Sequence, residues 1–143
     1  MKDKRVFVTR RWPKVVEDRI AELFDPVFNI EDKPLGTDDL KDAMQTCDAI
    51  LPTVTDKLDA SIFEGKPKAS IICNYGVGYS HIDVQSANDN GIIVTNTPDV
   101  LSECTADIAM MLLLMVARRA GEGERELRAG AWSGWKPTHL VGR

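Results

Sequence analysis

Cysteine is scarce in this sequence, and the three thiols, Cys47, Cys73 and Cys104, lie far apart. Their number is odd, and no C-x-x-C pair or Cys/His cluster occurs, so neither a disulfide framework nor a zinc site is indicated. The sequence therefore predicts reduced, buried thiols and no metal centre.

Long hydrophobic runs and clustered positive charge are missing as well. The longest apolar stretch, residues 108–117, is much shorter than the ~20 residues that span a bilayer. The apolar run near the N-terminus is too short for a signal peptide. The net charge of −4, the pI near 5.2 and the lack of a basic stripe argue against nucleic-acid binding. These absences favour a cytoplasmic protein that binds neither membranes nor nucleic acids.

Short β-branched runs alternate with helical patterns along the chain. Four helical patterns are recognised. The first opens at Pro13, the second is capped by Thr37, the third begins near Asp59, and the fourth ends at Asn90-Gly91. The runs predict five strands, at residues 5–9, 27–30, 48–51, 69–73 and 92–95. Together they indicate an α/β fold whose parallel sheet has helices on both faces. Right-handed crossovers favour the flavodoxin-like strand order 2-1-3-4-5.

Beyond residue 98 the pattern changes, which predicts a domain at residues 1–98 and a separate region at 99–143. Residues 101–119 form one long helical pattern whose centre is apolar nearly all round. Such a helix has to be buried on more than one side. It is either a sixth helix of the same core or a helix covered by another domain or subunit, and the second reading is favoured.

The rest of this region combines a polar helix with an aromatic arm. Residues 121–130 form the helical pattern, with Glu124 and Arg128 at the i,i+4 spacing of an ion pair. Trp132 and Trp135 follow in a non-helical stretch. They pack either on a partner surface or back on this domain, and the sequence does not favour one reading over the other.

A glycine-containing loop follows the fourth predicted strand, where open α/β sheets bind ligands. Gly76 and Gly78 permit positive φ and close backbone approach, so successive N–H groups form an anion-binding nest. Ser80 and Asp83 match the S-x-x-D pattern that caps a following helix, whose N-terminus also attracts anions. A G-x-G pair alone is a weak signal, because most such pairs only turn the chain.

The two histidines are poor candidates for a catalytic base. His81 has no evident carboxylate to orient it and is expected on the surface, and His139 lies in the terminal arm. The sequence therefore predicts no acid–base residue in this chain.

Several motifs in a fixed order carry a resemblance to a known family. They are NYGVGYSHID at 74–83, GIIV at 91–94, TPDVLSE at 97–103, TAD at 105–107 and GAWSGWKP at 130–137. Together they resemble the D-isomer-specific 2-hydroxyacid dehydrogenases, and the last motif is similar to the glyoxylate/hydroxypyruvate reductase branch. The resemblance covers essentially the whole chain and is tightest from residue 70 onward.

The resemblance implies a flavodoxin-like substrate domain into which a Rossmann domain is inserted. It implies that the loop of Gly76, Val77 and Gly78 grips the carboxylate of a small 2-oxoacid through backbone N–H groups. It also implies that Leu51 and Pro52, at the tip of the third strand, line the same cleft.

The resemblance implies roles for the C-terminal region as well. Thr105 corresponds to a position that contacts the cofactor, NAD or NADP, and the helix from Leu101 is the hinge into the nucleotide domain. In a homodimer, a tryptophan of the arm reaches the neighbouring subunit's site; Trp135 is the better match and Trp132 the second.

Some family features are absent from the 143 residues. No G-x-G-x-x-G occurs, and the family's catalytic Arg, Glu and His belong to a later part that this chain does not include. We therefore expect the substrate-domain fragment of an NAD(P)H-dependent oxidoreductase that reduces glyoxylate or hydroxypyruvate to D-2-hydroxyacids, inactive by itself.

The alternative is a non-catalytic flavodoxin-like ligand-binding or regulatory module. A phospho-receiver domain needs an acceptor aspartate after the third strand and an acidic pair after the first. Leu51-Pro52 and Arg10-Arg11 occupy those positions, so only a binding module that keeps the carboxylate loop stays open.

Overall fold

The computed structural model describes residues 2–131. The chain separates after Pro98 into two compact units, Met1–Pro98 and Asp99–Arg143. The sheet lies within the first unit. The assignment of a substrate domain to the first unit, and of a hinge helix and arm to the second, stays a prediction.

In the described residues, five parallel strands form one sheet in the order β2-β1-β3-β4-β5. This order is the one predicted, and the flavodoxin-like fold class is confirmed. The strands are β1 Arg5–Val8, β2 Asp25–Phe28, β3 Ala49–Leu51, β4 Ile71–Cys73 and β5 Ile93–Thr95.

Helices cover both faces of this sheet. The first unit contains α1 Lys14–Leu23, α2 Thr37–Thr46, a 3-10 helix Ala60–Phe63 and α3 Val84–Asp89. Ile50 packs in a buried cluster with residues of α2, α3 and the 3-10 helix. Leu51, the next residue of β3, packs in a second cluster with Ile20 of α1. Because successive strand residues point to opposite faces, the two clusters are the cores of the two layers.

Strand β2 begins two residues earlier than the apolar run suggests. Its Asp25 is opposite Arg5 of β1, and the strand includes Pro26. Proline is tolerated there because β2 is an edge strand with one hydrogen-bonded neighbour. The strand ends before Asn29, whose side-chain amide donates to the carbonyls of Thr9 and Lys33 and turns the chain. The predicted bounds of 27–30 were therefore wrong.

The expected cap of α2 was also wrong. Gly36 is the N-cap residue, and Thr37 is the first residue of the helix, with no side-chain cap from Gly36. The carboxylate of Asp39 instead accepts the backbone N–H of Gly36 at 3.0 Å. An acidic side chain in the first turn thus satisfies a helix-start donor in place of a threonine hydroxyl.

The second unit contains two helices among its described residues. These are α4 Ser102–Arg118 and α5 Ala120–Arg128. Arg119 joins them with a left-handed φ of 54°, and the predicted Glu124–Arg128 ion pair is present in α5. No residue of α4 is buried, although its centre is apolar.

The cysteines differ from the expectation of buried thiols. Cys47 is buried, Cys73 is half-buried and Cys104 is exposed, and all three are free. Within residues 2–131, no group of three or more His, Cys, Asp or Glu side chains is arranged to hold a metal ion. No helix in the same part of the chain is long and apolar enough to cross a bilayer.

Candidate functional site: a loop of outward-facing N–H groups

The glycine loop lies at the carboxyl edge of the sheet, between the ends of three strands. It follows β4, and the backbone N–H of Asn74 donates to the carbonyl of Thr95, the last residue of β5. The N–H of Tyr75 donates to the carbonyl of Pro52, just beyond β3, at 2.9 Å. The parallel strands on either side of β4 therefore fix where the loop begins.

Protein donors occupy the carbonyl oxygens of all three loop residues. The oxygen of Gly76 accepts from the backbone N–H of Thr97 and from the side-chain amide of Asn74, both at 3.1 Å. The oxygen of Gly78 accepts from the same Asn74 amide at 2.9 Å. The oxygen of Val77 accepts from the side-chain amide of Asn96, also at 2.9 Å.

The N–H of Gly76 donates to the carbonyl of Asn74 at 3.0 Å, whereas the N–H groups of Val77 and Gly78 have no such partner: among the described residues, none accepts a hydrogen bond from either. In a trans peptide the C=O and the N–H point in opposite directions. Because the carbonyls of Gly76 and Val77 are bound to the protein, the next N–H in each peptide, of Val77 and Gly78 respectively, faces away from those donors. The loop thus presents two adjacent donors, which suits a carboxylate.

Glycine was expected at positions 76 and 78 because it permits positive φ and close backbone approach. Neither Gly76 nor Gly78 has a left-handed φ, so the positive φ that glycine permits is used at neither position. A Cβ on Gly76 would lie 2.9 Å from Cγ1 of Val54, which makes position 76 a close approach. A Cβ on Gly78 would meet nothing within 4 Å and would project into the open side of the loop.

The helix after the loop contributes less than its sequence suggests. The prediction that Ser80 caps it was wrong, because α3 begins at Val84 and its N-cap is Asp83. The carboxylate of Asp83 accepts the N–H of Ser86 at 2.9 Å. A negative side chain therefore already lies at the N-terminus of this short helix, which makes the helix start a poorer place for an anion than the loop.

Leu51 and Pro52 lie next to the loop through their backbones. The Leu51 carbonyl accepts from the N–H of Thr9, and the Pro52 carbonyl accepts from Tyr75. Their side chains are buried, with Leu51 8% exposed and packed on the α1 side of the sheet. These residues set the position of the β3 tip, and the expectation that they line a substrate cleft stays a prediction.

His81 is half-buried and is part of the loop structure, unlike the surface residue that the sequence suggests. Its Nε2 lies 3.0 Å from Oδ1 of Asn74. Burial lowers the pKa of His81, and the negative charge of Asp56 acts in the opposite direction. Asp56 is itself buried, accepting from the hydroxyl of Thr9 and, at 2.8 Å, from the N–H of Thr53.

Other residues near the loop were not assigned a role from the sequence, although Asn74 and Tyr75 belong to the motif at 74–83. Asn74 and Asn96 bind its carbonyls, and the ring of Trp12 packs on that of Tyr75 with centroids 4.7 Å apart. Asn96 and Trp12 fit no motif, so only the folded chain identifies them, and it also shows the particular contacts that Asn74 and Tyr75 make. Val54 beside Gly76 belongs to the same group.

The remaining predicted site residues are in the second unit. Thr105 is exposed in the first turn of α4, where its N–H donates to the carbonyl of Leu101 at 3.0 Å. Trp132, Trp135 and His139 lie outside the described residues. Their predicted roles stay predictions.

The fold and the loop together define a class of protein: a flavodoxin-like domain with a loop of outward-facing N–H groups at the end of its fourth strand. A family model described as "D-isomer specific 2-hydroxyacid dehydrogenase, catalytic domain" matches residues 6–133. The chain therefore belongs to the D-isomer-specific 2-hydroxyacid dehydrogenases.

Individual relatives agree with this assignment. The glyoxylate reductase of Korarchaeum cryptofilum is 42% identical over 139 residues, which are 96% of this chain and 42% of that protein. The structure of a D-isomer-specific 2-hydroxyacid dehydrogenase from Polaromonas sp. JS6 66 matches with a TM-score of 0.80 and 36% identity. The match covers 97% of this chain and 44% of the Polaromonas chain.

A third relative is the NADPH-dependent glyoxylate/hydroxypyruvate reductase of Sinorhizobium meliloti, solved with NADP and malonate. It has a TM-score of 0.76 and 33% identity, and the match covers 98% of this chain and 44% of that one. The chain thus spans less than half the length of each of these proteins.

Proposed function

We propose that this chain is the substrate-binding half of an NAD(P)H-dependent oxidoreductase that reduces a small 2-oxoacid to a D-2-hydroxyacid. The observation that carries the proposal is the polarity of the loop. Its three carbonyls are bound to the protein, and the N–H groups of Val77 and Gly78 are left for a carboxylate. Glyoxylate and hydroxypyruvate are the favoured substrates.

The names of the relatives support this choice of substrate. The Korarchaeum cryptofilum protein is called a glyoxylate reductase, and the Sinorhizobium meliloti protein is called a glyoxylate/hydroxypyruvate reductase. The second was solved with malonate, a small carboxylate of the kind that two adjacent N–H donors would bind. NADP in that structure supports a nicotinamide cofactor without deciding between NADH and NADPH here.

In the proposed reaction the residues of this chain bind and orient the substrate. Two hydrogen bonds from Val77 and Gly78 to the carboxylate fix the direction of the neighbouring carbonyl carbon, which lowers the entropy cost of reaching the reactive geometry. The nicotinamide, when bound, supplies the hydride.

The nucleotide cradle is assigned to the part of the enzyme outside this chain. The 143 residues contain no G-x-G-x-x-G, and Thr105 is the only residue here assigned to the cofactor. The proton donor and the group that polarises the substrate carbonyl are also assigned to the other half of the enzyme.

The same half is the proposed cover for α4. The large apolar residues at the centre of α4 each have 40–78% of their surface exposed. They are Ile108, Met110, Met111, Leu112, Leu113, Leu114, Met115 and Val116. Exposed apolar patches of this extent mark surfaces that a partner covers. Homodimer formation, with Trp135 reaching the neighbouring site, belongs to the proposed full-length enzyme.

A chimaera tests the proposal directly. Residues 1–143 are joined to the part of the Korarchaeum cryptofilum glyoxylate reductase that lies outside the match. We expect glyoxylate-dependent oxidation of NADH or NADPH by the chimaera and none by the 143-residue chain alone.

Two outcomes would contradict the proposal. Reduction of glyoxylate by the 143-residue chain alone would show that it holds its own catalytic groups. A folded chimaera that binds NAD(P)H but reduces neither glyoxylate nor hydroxypyruvate would favour the non-catalytic binding module. The matched control is the same chimaera with Gly78→Ala, in which the loop alone is altered.

A further inference from the structure

We propose that Asn74 is a positioning residue that sets the polarity of the carboxylate loop, and that His81 holds the Asn74 amide in the orientation this requires. The inference rests on the proposed function of the loop as a carboxylate site. The residues involved lie between the end of β4 and the start of α3.

Asn74 binds the loop from its buried side. Asn74 is only 2% exposed. Its side-chain Nδ2 donates to the carbonyl oxygens of Gly76 and Gly78 at 3.1 and 2.9 Å, respectively. Nδ2 carries two hydrogens, so both are used. These two bonds fix the peptide planes on either side of the Val77–Gly78 peptide, whose own carbonyl Asn96 binds.

The orientation of the Asn74 amide decides whether the loop can bind an anion. If the amide were rotated by 180°, its oxygen would face two carbonyl oxygens at hydrogen-bond distance, and the loop would have to open. Releasing both carbonyls from Asn74 would leave the Gly76 carbonyl with the Thr97 N–H as its one donor and the Gly78 carbonyl with none among the described residues. The peptides on both sides of Val77–Gly78 would then be less firmly held, and the Val77 and Gly78 N–H groups would lose their fixed direction. An amide that cannot rotate therefore keeps the donors directed outward.

His81 supplies that constraint. Its Nε2 lies 3.0 Å from Asn74 Oδ1, and Oδ1 is only an acceptor, so the hydrogen is on Nε2 and the imidazole is the donor. A donor at this position favours the amide orientation with Oδ1 towards His81 and Nδ2 towards the loop. His81 acts through Asn74 and does not contact the carboxylate.

The test uses the 143-residue chain labelled with ¹⁵N and titrated with oxamate, a carboxylate that resembles a 2-oxoacid and is not reduced. The variants are Asn74→Ala, His81→Gln, whose amide N–H replaces the imidazole donor, and His81→Leu, which has no donor. Oxamate affinity is read from the Val77 and Gly78 amide signals. The nitrogen spectrum of His81 gives its tautomer, and thermal unfolding reports the fold.

We expect Asn74→Ala and His81→Leu to bind oxamate about tenfold more weakly, the loss that corresponds to one hydrogen bond. His81→Gln should keep affinity near that of the wild type, and wild-type His81 should carry its neutral proton on Nε2. Rescue by glutamine separates positioning from packing, because both substitutions remove the imidazole ring.

The inference would be overturned by wild-type affinity in a folded Asn74→Ala, or by equal affinities in the two His81 variants. A neutral proton on Nδ1 of His81 would also overturn it. If Asn74→Ala does not fold, the His81 pair decides the question. Failure of the wild type to bind oxamate would instead contradict the proposed function, while the His81 tautomer and the hydrogen-exchange protection of the Asn74 side-chain amide would still test the positioning.

Discussion

Substituting alanine at Gly78 separates ligand binding from folding in the proposed carboxylate loop. A Cβ added at this position meets no protein atom within 4 Å, and the residue does not have a left-handed φ. The substitution therefore leaves the folded chain unstrained, and the new methyl group projects into open space beside the N–H that is proposed to bind the substrate.

The expected loss follows from the hydrogen bond that the methyl group obstructs. A hydrogen bond to a charged group contributes about 1.5–3 kcal/mol, which corresponds to a roughly 10- to 150-fold increase in the dissociation constant. The melting temperature should not change, because nothing buried is altered.

The contrast with Gly76 makes the prediction specific. A Cβ there would lie 2.9 Å from Val54 Cγ1 and 3.4 Å from the Asn74 amide, so Gly76→Ala should lower stability by about 1 kcal/mol through overpacking. Adding Val54→Ala should restore the stability, because the side chain that clashes is removed.

Oxamate titration followed by NMR and thermal unfolding followed by circular dichroism measure both effects on the 143-residue chain. The reasoning is refuted if Gly78→Ala binds oxamate as the wild type does while the wild-type Val77 and Gly78 amides respond to the ligand. It is also refuted if Gly78→Ala lowers the melting temperature as much as Gly76→Ala.

Two further predictions concern the framework around the site. The backbone N–H of Arg5 and two lysines lower the pKa of Asp48 below 3.8, so its contribution to stability is complete above pH about 4 and is lost as the pH falls further. Asp48→Asn should therefore flatten the acid limb of a melting-temperature profile, whereas Asp18→Asn on the surface should leave it steep; parallel profiles would contradict this. Leu58 is fully buried, so Leu58→Ala should cost about 2–5 kcal/mol in urea unfolding. Val15→Ala, at a position 76% exposed, should cost less than about 0.5 kcal/mol, and equal losses would place Leu58 outside the core.

Local patterns were sufficient to predict the architecture and failed where a tertiary contact chose between neighbouring residues. The strands were recognised because β-branched runs and helical periodicity are local properties of the chain, and the preference for right-handed crossovers then gave the correct strand order. The start of β2 was missed because pairing of Asp25 with Arg5 brings Pro26 into the strand. The caps predicted at Thr37 and Ser80 were wrong because the carboxylates of Asp39 and Asp83 accept from the backbone N–H groups instead.

The sequence by itself determined the fold class, the family resemblance and the position of the loop, because motifs and periodicity are read along the chain. Only the tertiary structure decided why the loop suits an anion. Parallel pairing of β4 with β5 brings Asn96 and Thr97 beside Gly76 and Val77, and the carbonyls they bind leave the N–H groups of Val77 and Gly78 facing outward. The tertiary structure also showed that the two glycines of the loop differ in the space around them and that neither has a left-handed φ.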